Sequence, residues 1–196
     1  MPTLVRYDVA PGVSYASRAG TMSGPTAGVL LPYLPDRAKS AAILAVSSTL
    51  DPESRSPAEF TIRSMAPIGG SPFSEEPGGT FGIFLVEPEL EVAESVAVSQ
   101  FCGFVPACEI QLVAYANGRA DHRRLGELAL FMARELAGVI DFGGELRADV
   151  VPIEGLAGRH VAIPYTTWGE TEAVYHIGDV AFLEAWLSSP EFHMIK

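Results

Sequence analysis

The chain has 196 residues, of which 48% are hydrophobic and 19% charged, and its formal net charge is -11 at pH 7. This length can form one substantial core, and the composition argues against global disorder. A strongly acidic chain is also a poor candidate for nucleic-acid binding, which depends on clustered lysine and arginine. We therefore expect a globular protein whose charge serves either solubility or the attraction of a basic protein partner.

The sequence contains no membrane-spanning or secretory pattern. Nothing approaches the run of about 18 apolar residues that a membrane helix needs, and the start, MPTLVRYDVAPG, lacks a basic segment followed by an apolar one. We expect a cytoplasmic protein that does not bind membranes. A second beginning is visible at Met22, where MSGPTAGVLLP runs from small polar residues into an apolar strand. Residues 1–21 are therefore predicted to form an N-terminal extension, and residues 22–196 a single domain.

Strands and helices are predicted to alternate through the first half of the domain. A strand over residues 26–34 is followed by a helix over 36–47, which Asp36 can cap, and then by a half-buried strand in EFTIRSM. Residues 66–79, APIGGSPFSEEPGG, contain three prolines and four glycines and are predicted to form an irregular loop. Glu75 and Glu76 lie in this loop, which should expose them.

After the loop, TFGIFLVEP is predicted to be a strand, and PELEVAESVAVSQF a helix that begins at Pro88. Glu89, Glu91 and Glu94 then fall near the positive end of this helix, which favours acidic side chains. The next strand is expected in CEIQLVAYAN, and the turn-forming pair Asn-Gly ends it.

The clearest helix is predicted over residues 121–137. Leucine and methionine recur there every three or four positions, so that Leu128 and Met132 should face the core. Asp121 can cap its first turn, and Gly138 stands where a left-handed residue would close its last one.

The segment GVIDFGG should return from this helix as a strand, with a sharp turn at Gly143 and Gly144. Asp141 would lie near the end of that strand. Its carboxylate can either bind the amides of the turn or face a partner or ligand.

The last third of the sequence predicts a hairpin of RHVAIPY and AVYHIGD, and then a helix from Asp179, as its cap, to Leu187. The final residues, FHMIK, can add a short edge strand. The broken spacing of the elements and the late hairpin favour an α+β domain over a parallel doubly wound fold. We expect a largely antiparallel sheet packed against helices.

The sequence lacks the motifs G-x-S-x-G, GxxxxGK and H-E-x-x-H, and it has no G-x-G-x-x-G after a strand. We accordingly expect no catalytic residues, no cofactor and no bound metal. The alternative is a small hydrolase-type enzyme with its site near the hairpin. His160 and His176 can meet there, with Glu170 and Glu172 in the turn, as either a metal or acid-base site or a cross-strand polar pair.

The two cysteines, Cys102 and Cys108, have no second pair that would complete a zinc site. A thiol nucleophile needs an exposed, electropositive setting, whereas the apolar neighbours of Cys108 suggest burial. We therefore expect buried free thiols.

Three segments carry a resemblance to known proteins. They are MSGPTAGVLLP, DHRRLGELALFMARELAGVIDFGGEL and AIPYTTWGETEAVYHIGDVAFLEAWLSSPEFHMIK. Together they resemble an uncharacterised family of small proteins from actinobacteria and myxobacteria, and the chain is similar to immunity proteins of polymorphic toxin systems. The resemblance covers most of residues 22–196, is weakest over 51–105 and implies no established enzymatic activity.

The resemblance implies a non-enzymatic cytoplasmic binding protein, an immunity protein that inhibits a cognate bacterial toxin by occluding it. Toxins that cut nucleic acid are often basic, so an acidic inhibitor would associate with them quickly. The predicted partner-binding residues are acidic side chains of the loop, the next helix start and the DFG segment, namely Glu75, Glu76, Glu89, Glu91, Glu94 and Asp141. An interaction domain without a toxin partner is a third interpretation.

Overall fold

The computed structural model of the protein describes residues 24–54, 58–71, 79–147, 153–167 and 171–195. The predicted extension over residues 1–21, the loop glutamates Glu75 and Glu76, and Glu170 of the hairpin turn lie outside the described residues. Every predicted strand and helix lies at least partly within them.

The described residues form seven strands and four α-helices. The strands are Thr26–Leu31 (β1), Glu59–Ile62 (β2), Gly79–Val86 (β3), Cys108–Ala114 (β4), Val139–Asp141 (β5), His160–Thr166 (β6) and Glu172–Gly178 (β7). The helices are Arg37–Leu50 (α1), Val92–Cys102 (α2), Arg119–Leu136 (α3) and Val180–Leu187 (α4). Within this part of the chain, no helix has the length and apolar character needed to cross a membrane.

All seven strands join one sheet in the order β2-β3-β4-β1-β5-β7-β6, and each neighbouring pair is antiparallel. The predicted α+β class with a largely antiparallel sheet is therefore confirmed, and so is the late hairpin, β6-β7. The edge strand predicted in FHMIK is not found among the described residues. Instead, the carbonyl oxygen of Ile195 accepts a hydrogen bond from the backbone N of Thr26 at 3.0 Å.

One face of the sheet carries the main core and is covered by α1, α3 and α4. Alternation along β1 directs Ala27, Val29 and Leu31 to this face. Leu128 and Met132 of α3 are 0% and 1% exposed and pack into the same core. The predicted apolar face of the central helix is therefore confirmed.

The opposite face of the sheet carries a second, smaller core at one end. Leu30 of β1, Val139 of β5 and Ile177 of β7 pack there with Val98 of α2. Of the described helices, α2 alone contributes to this core. The helix that connects β3 to β4 thus lies across the sheet from the other three.

The predicted caps of α1 and α4 are confirmed. Asp36 accepts a hydrogen bond from the backbone N of Lys39 at 2.8 Å, and Asp179 accepts one from the backbone N of Phe182 at 2.9 Å. Each carboxylate satisfies a first-turn amide that has no partner within the helix.

Helix α3 begins and ends differently from the prediction. It starts at Arg119, and Asp121 lies inside its first turn, where Oδ2 accepts a hydrogen bond from the backbone N of Gly118 at 3.1 Å. At the other end the left-handed residue is Ala137, with a φ of 53°, and not Gly138. Gly138 instead allows the chain to pass close to β1, because a Cβ at this position would lie 2.5 Å from Cγ1 of Val29.

Candidate protein-interaction surface

Helix α2 is apolar on both of its sides. Val98 faces the sheet and is buried, whereas Val92 and Val96 lie on the outer side and are 84% and 54% exposed. The outer two are four positions apart, so they project from one face of the helix. Val105, just after the helix, is 67% exposed. Because a surface helix usually presents polar residues to water, this outer side is a candidate for contact with another protein.

A shallow groove lies along this apolar side. It has a volume of about 410 Å³, is open to solvent, and is lined by Ser95, Val96, Ser99, Gln100 and Val105. Two valines, two serines and one glutamine therefore surround it. Such a groove can receive an apolar side chain of a partner, while polar groups at its margin form hydrogen bonds.

Three glutamates lead into the helix. Glu87, Glu89 and Glu91 lie in the connection from β3 to α2, and all three are exposed. The sequence contains no lysine, arginine or histidine between Arg63 and Arg119, so no neighbour in the sequence offsets their charge. We define the α2 surface as these glutamates together with the exposed valines, namely Glu87, Glu89, Glu91, Val92, Val96 and Val105.

Glu94 does not belong to the α2 surface because it is buried. The helix begins at Val92 and not at the predicted Pro88, and Glu94 is only 5% exposed. Its Oε2 accepts a hydrogen bond from the backbone N of Glu91 at 2.9 Å. This contact satisfies an amide at the helix start, so the structure gives Glu94 a part in fixing where α2 begins, and its burial leaves little of the side chain accessible for the predicted partner contact.

Asp141 is also an internal residue. It is 2% exposed, and its Oδ1 accepts a hydrogen bond from the backbone N of Gly143 at 2.7 Å. Gly143 has a φ of 72°, a conformation that glycine adopts without strain. Of the two roles predicted for Asp141, the structure shows the binding of a turn amide, and its burial leaves little of the side chain accessible to a partner.

The two hairpin histidines lie close together, and each also contacts another residue of the fold. Their ring centroids are 6.1 Å apart, and the ring of His160 stacks on that of Phe182 at 4.4 Å. His176 is 7% exposed, and its Nδ1 accepts a hydrogen bond from the backbone N of Leu146 at 3.0 Å. Burial lowers the pKa of His176, and the nearby His160 lowers it further. This arrangement fits a polar pair within the fold better than an acid-base site open to a substrate.

Metal ligands and thiols are the remaining candidate groups among the residues that the structure describes. No group of three or more His, Cys, Asp or Glu among the described residues could hold a metal ion. Cys102 and Cys108 are free thiols, and burial raises the pKa of each to about 11. At Cys102 the Arg159 guanidinium opposes this effect of burial without overcoming it. Both thiols therefore stay protonated near neutral pH, where a thiol is a weak nucleophile.

Glu89 and Glu91 are predicted from the sequence as partner-binding residues, whereas Glu87 and the exposed valines are not. A signal for the valines is nevertheless present. Val96 and Val98 are two positions apart and must point to opposite sides of a helix, so a helix with one buried face has to expose one of them.

Comparison with known proteins places the chain in a family but assigns no activity. No curated protein and no solved structure matches it significantly. Residues 23–196 match the DUF6368 family, which is described as a family of unknown function. The match covers most of the chain, which therefore belongs to the DUF6368 family.

Proposed function

We propose that this protein is a non-enzymatic cytoplasmic binding protein that holds a basic partner protein on its α2 surface. The observation that carries the proposal is the exposed pair Val92 and Val96, bordered by exposed glutamates. The partner we propose is a cognate bacterial toxin, which the protein inhibits by occluding it. The choice of a toxin rests on the resemblance of the sequence to immunity proteins.

The exposed valines can supply part of the binding free energy. Complete burial of a valine side chain contributes about 1.5–3 kcal/mol, so Val92 and Val96, at 84% and 54% exposure, offer roughly 2–4 kcal/mol together. Association itself costs about 4–15 kcal/mol, and a specific interface buries about 800 Å² on each partner. The contact must therefore extend over the groove and the glutamate connection as well.

The exposed glutamates are expected to act mainly on the rate of association. Their field adds to that of the whole chain, whose net charge of -11 attracts a basic protein before contact. Salt screens such charges, because the Debye length falls from about 10 Å at 0.1 M to about 3 Å at 1 M ionic strength. Loss of an apolar contact should instead increase the rate of dissociation.

The proposal predicts that the gene immediately upstream encodes a toxin-domain protein, and it is tested with the protein that this gene encodes. The two proteins are co-expressed and the complex is purified. The rates of association and dissociation are then measured by biolayer interferometry at low and high salt. Val92→Ser combined with Val96→Ser should speed dissociation by more than about tenfold, because a factor of ten corresponds to only about 1.4 kcal/mol. Glu87→Gln combined with Glu89→Gln should slow association at low salt only. Glu91 is left unchanged because α2 begins beside it.

Two matched controls come from exposed positions elsewhere. Leu34 is 71% exposed, and Glu135 is exposed on α3, across the sheet from α2. Leu34→Ser and Glu135→Gln should change neither rate. If both α2 variants bind like the wild type, the interface lies elsewhere, and if the wild-type protein neither binds nor inhibits the toxin, the proposed function is wrong.

A further inference from the structure

A small pocket lies between the segment that follows β2 and the first turns of α3. Its volume is about 200 Å³, several times the roughly 30 Å³ that one water molecule occupies in the liquid. Three arginines line it, Arg63 from the first segment and Arg123 and Arg124 from α3. The chain has 13 lysines and arginines against 24 acidic residues, yet three guanidinium groups meet around this one pocket. Each pairs with a carboxylate, that of Glu53, Glu127 or Asp121.

Arg123 is fixed in position by contacts on two sides. Its Nε donates to Oε1 of Glu127 at 2.9 Å, and its Nη1 donates to the carbonyl oxygen of Leu187. Glu127 in turn accepts hydrogen bonds from the Oγ and the backbone N of Ser71, at 2.6 and 3.0 Å. The one carboxylate in the pocket wall is therefore occupied by protein donors, while the five-donor guanidinium of Arg123 keeps donors for a ligand.

Arg124 is fixed by burial. Its side chain is 5% exposed, and Nη1 lies 3.5 Å from Oδ1 of Asp121. The other carboxylate oxygen of Asp121 accepts a hydrogen bond from the backbone N of Gly118. Because little water screens charges at this depth, the attraction of this guanidinium for an anion is strengthened, and so is its pairing with Asp121.

Arg63 is the adjustable member of the three. Its side chain is 73% exposed and lies 3.8 Å from Glu53, which is 83% exposed. An exposed pair of this kind contributes little to stability. The Arg63 side chain can therefore turn toward a ligand at low cost, from the wall opposite α3.

We propose that this pocket binds a small tetrahedral oxyanion, either inorganic phosphate or the phosphate group of a monoester. Arginine donates paired hydrogen bonds to phosphate oxygens, and here the donors come from two different elements. That arrangement suits an anion with oxygens on several sides better than a planar carboxylate. Ala120, in the first turn of α3, also lines the pocket, so the positive end of the helix dipole adds to the attraction. This inference does not depend on the α2 surface.

The test is isothermal titration calorimetry of the full chain with inorganic phosphate at constant ionic strength. The wild type should bind, and Arg63→Gln should weaken binding by about tenfold, as expected for the loss of one charge-assisted hydrogen bond. Arg147→Gln is the matched control, because the Arg147 side chain is 80% exposed and pairs with Glu145. It should bind phosphate like the wild type. Since Arg63 is also exposed, both variants should fold normally.

Four results would overturn the proposal. The first is no heat of binding together with no rise in Tm beyond that in sodium chloride. The second is equal phosphate binding by Arg63→Gln and the wild type, and the third is a loss of binding in Arg147→Gln as large as that in Arg63→Gln. The fourth is acetate binding as tight as phosphate binding. Phenyl phosphate separates the two sources of the oxyanion. Tighter binding of phenyl phosphate than of inorganic phosphate identifies a monoester site, and the reverse order identifies a site for free phosphate.

Discussion

Replacement of Leu128 by alanine is the most direct test of how α3 meets the sheet. Leu128 is 0% exposed and lies in the main core. The change removes the equivalent of about three methylene groups at about 0.8 kcal/mol each, or roughly 2.4 kcal/mol of transfer free energy. The cavity left behind raises the expected loss to about 3–5 kcal/mol. Since a domain typically unfolds with about 5–15 kcal/mol, the variant should lose a large share of its stability.

Urea unfolding followed by circular dichroism measures this loss. The midpoint should fall while the slope of unfolding free energy against urea stays constant, because the surface exposed on unfolding hardly changes. Leu34→Ala is the control, since Leu34 is 71% exposed and should change stability by less than about 0.5 kcal/mol. An equally small change in Leu128→Ala would refute the placement of this helix face in the core.

Two further predictions concern buried polar groups. Burial lowers the pKa of His122 and of His176 in the folded state, so the unfolded chain, with a histidine pKa of about 6.5, takes up protons more readily. The stability contributed by the two neutral histidines should therefore be complete above about pH 6.5 and decline as the pH falls below it. His176→Gln should reduce this decline, measured as the urea midpoint against pH. A midpoint that does not change with pH would contradict the burial of these histidines. Asp141→Ala should cost about 1–3 kcal/mol in the same assay, because the Gly143 amide loses its acceptor, and should leave toxin binding unchanged. Weaker binding at unchanged stability would return Asp141 to the partner surface.

The elements with local signals could be predicted from the sequence. The caps Asp36 and Asp179 act on amides three residues away, and the apolar period of α3 repeats within one helix. The hairpin β6-β7 pairs two strands that follow each other closely in the sequence. Each of these features is decided by residues close together in the chain, so the tertiary structure has little opportunity to override it.

Helix boundaries were predicted less well where two signals compete. Pro88 is compatible with a first helical turn, but the side chain of Glu94 binds the amide of Glu91 and so sets a later start. Gly138 tolerates a left-handed conformation, yet that role falls to Ala137 because Gly138 is needed where the chain passes close to Val29. In both cases a tertiary or side-chain contact decides between positions that local preference leaves nearly equal.

The candidate site could be predicted only in part, because burial depends on what packs over a residue. Glu89 and Glu94 look alike in the sequence, yet Glu89 is exposed and Glu94 is buried, with 5% exposure. Asp141 is enclosed because β1 lies beside β5, where a Cβ on Gly28 would come within 3.1 Å of the Cβ of Asp141. No local pattern encodes that strand order.

The central position of β1 also shapes how the protein can be made. This strand has no native pairing partner until β4 has been synthesised, and its second partner, β5, ends only at Asp141, so its apolar side chains are exposed on the nascent chain. Even then the fold is incomplete, because Met194 is 1% exposed and its backbone N donates to Nδ1 of His122 at 2.9 Å, while Ile195 binds Thr26. Pairings this distant in the sequence fold slowly. Newly made chains should therefore need protection from aggregation until Met194 and Ile195 leave the ribosome, and removal of these two residues should leave the chain poorly folded.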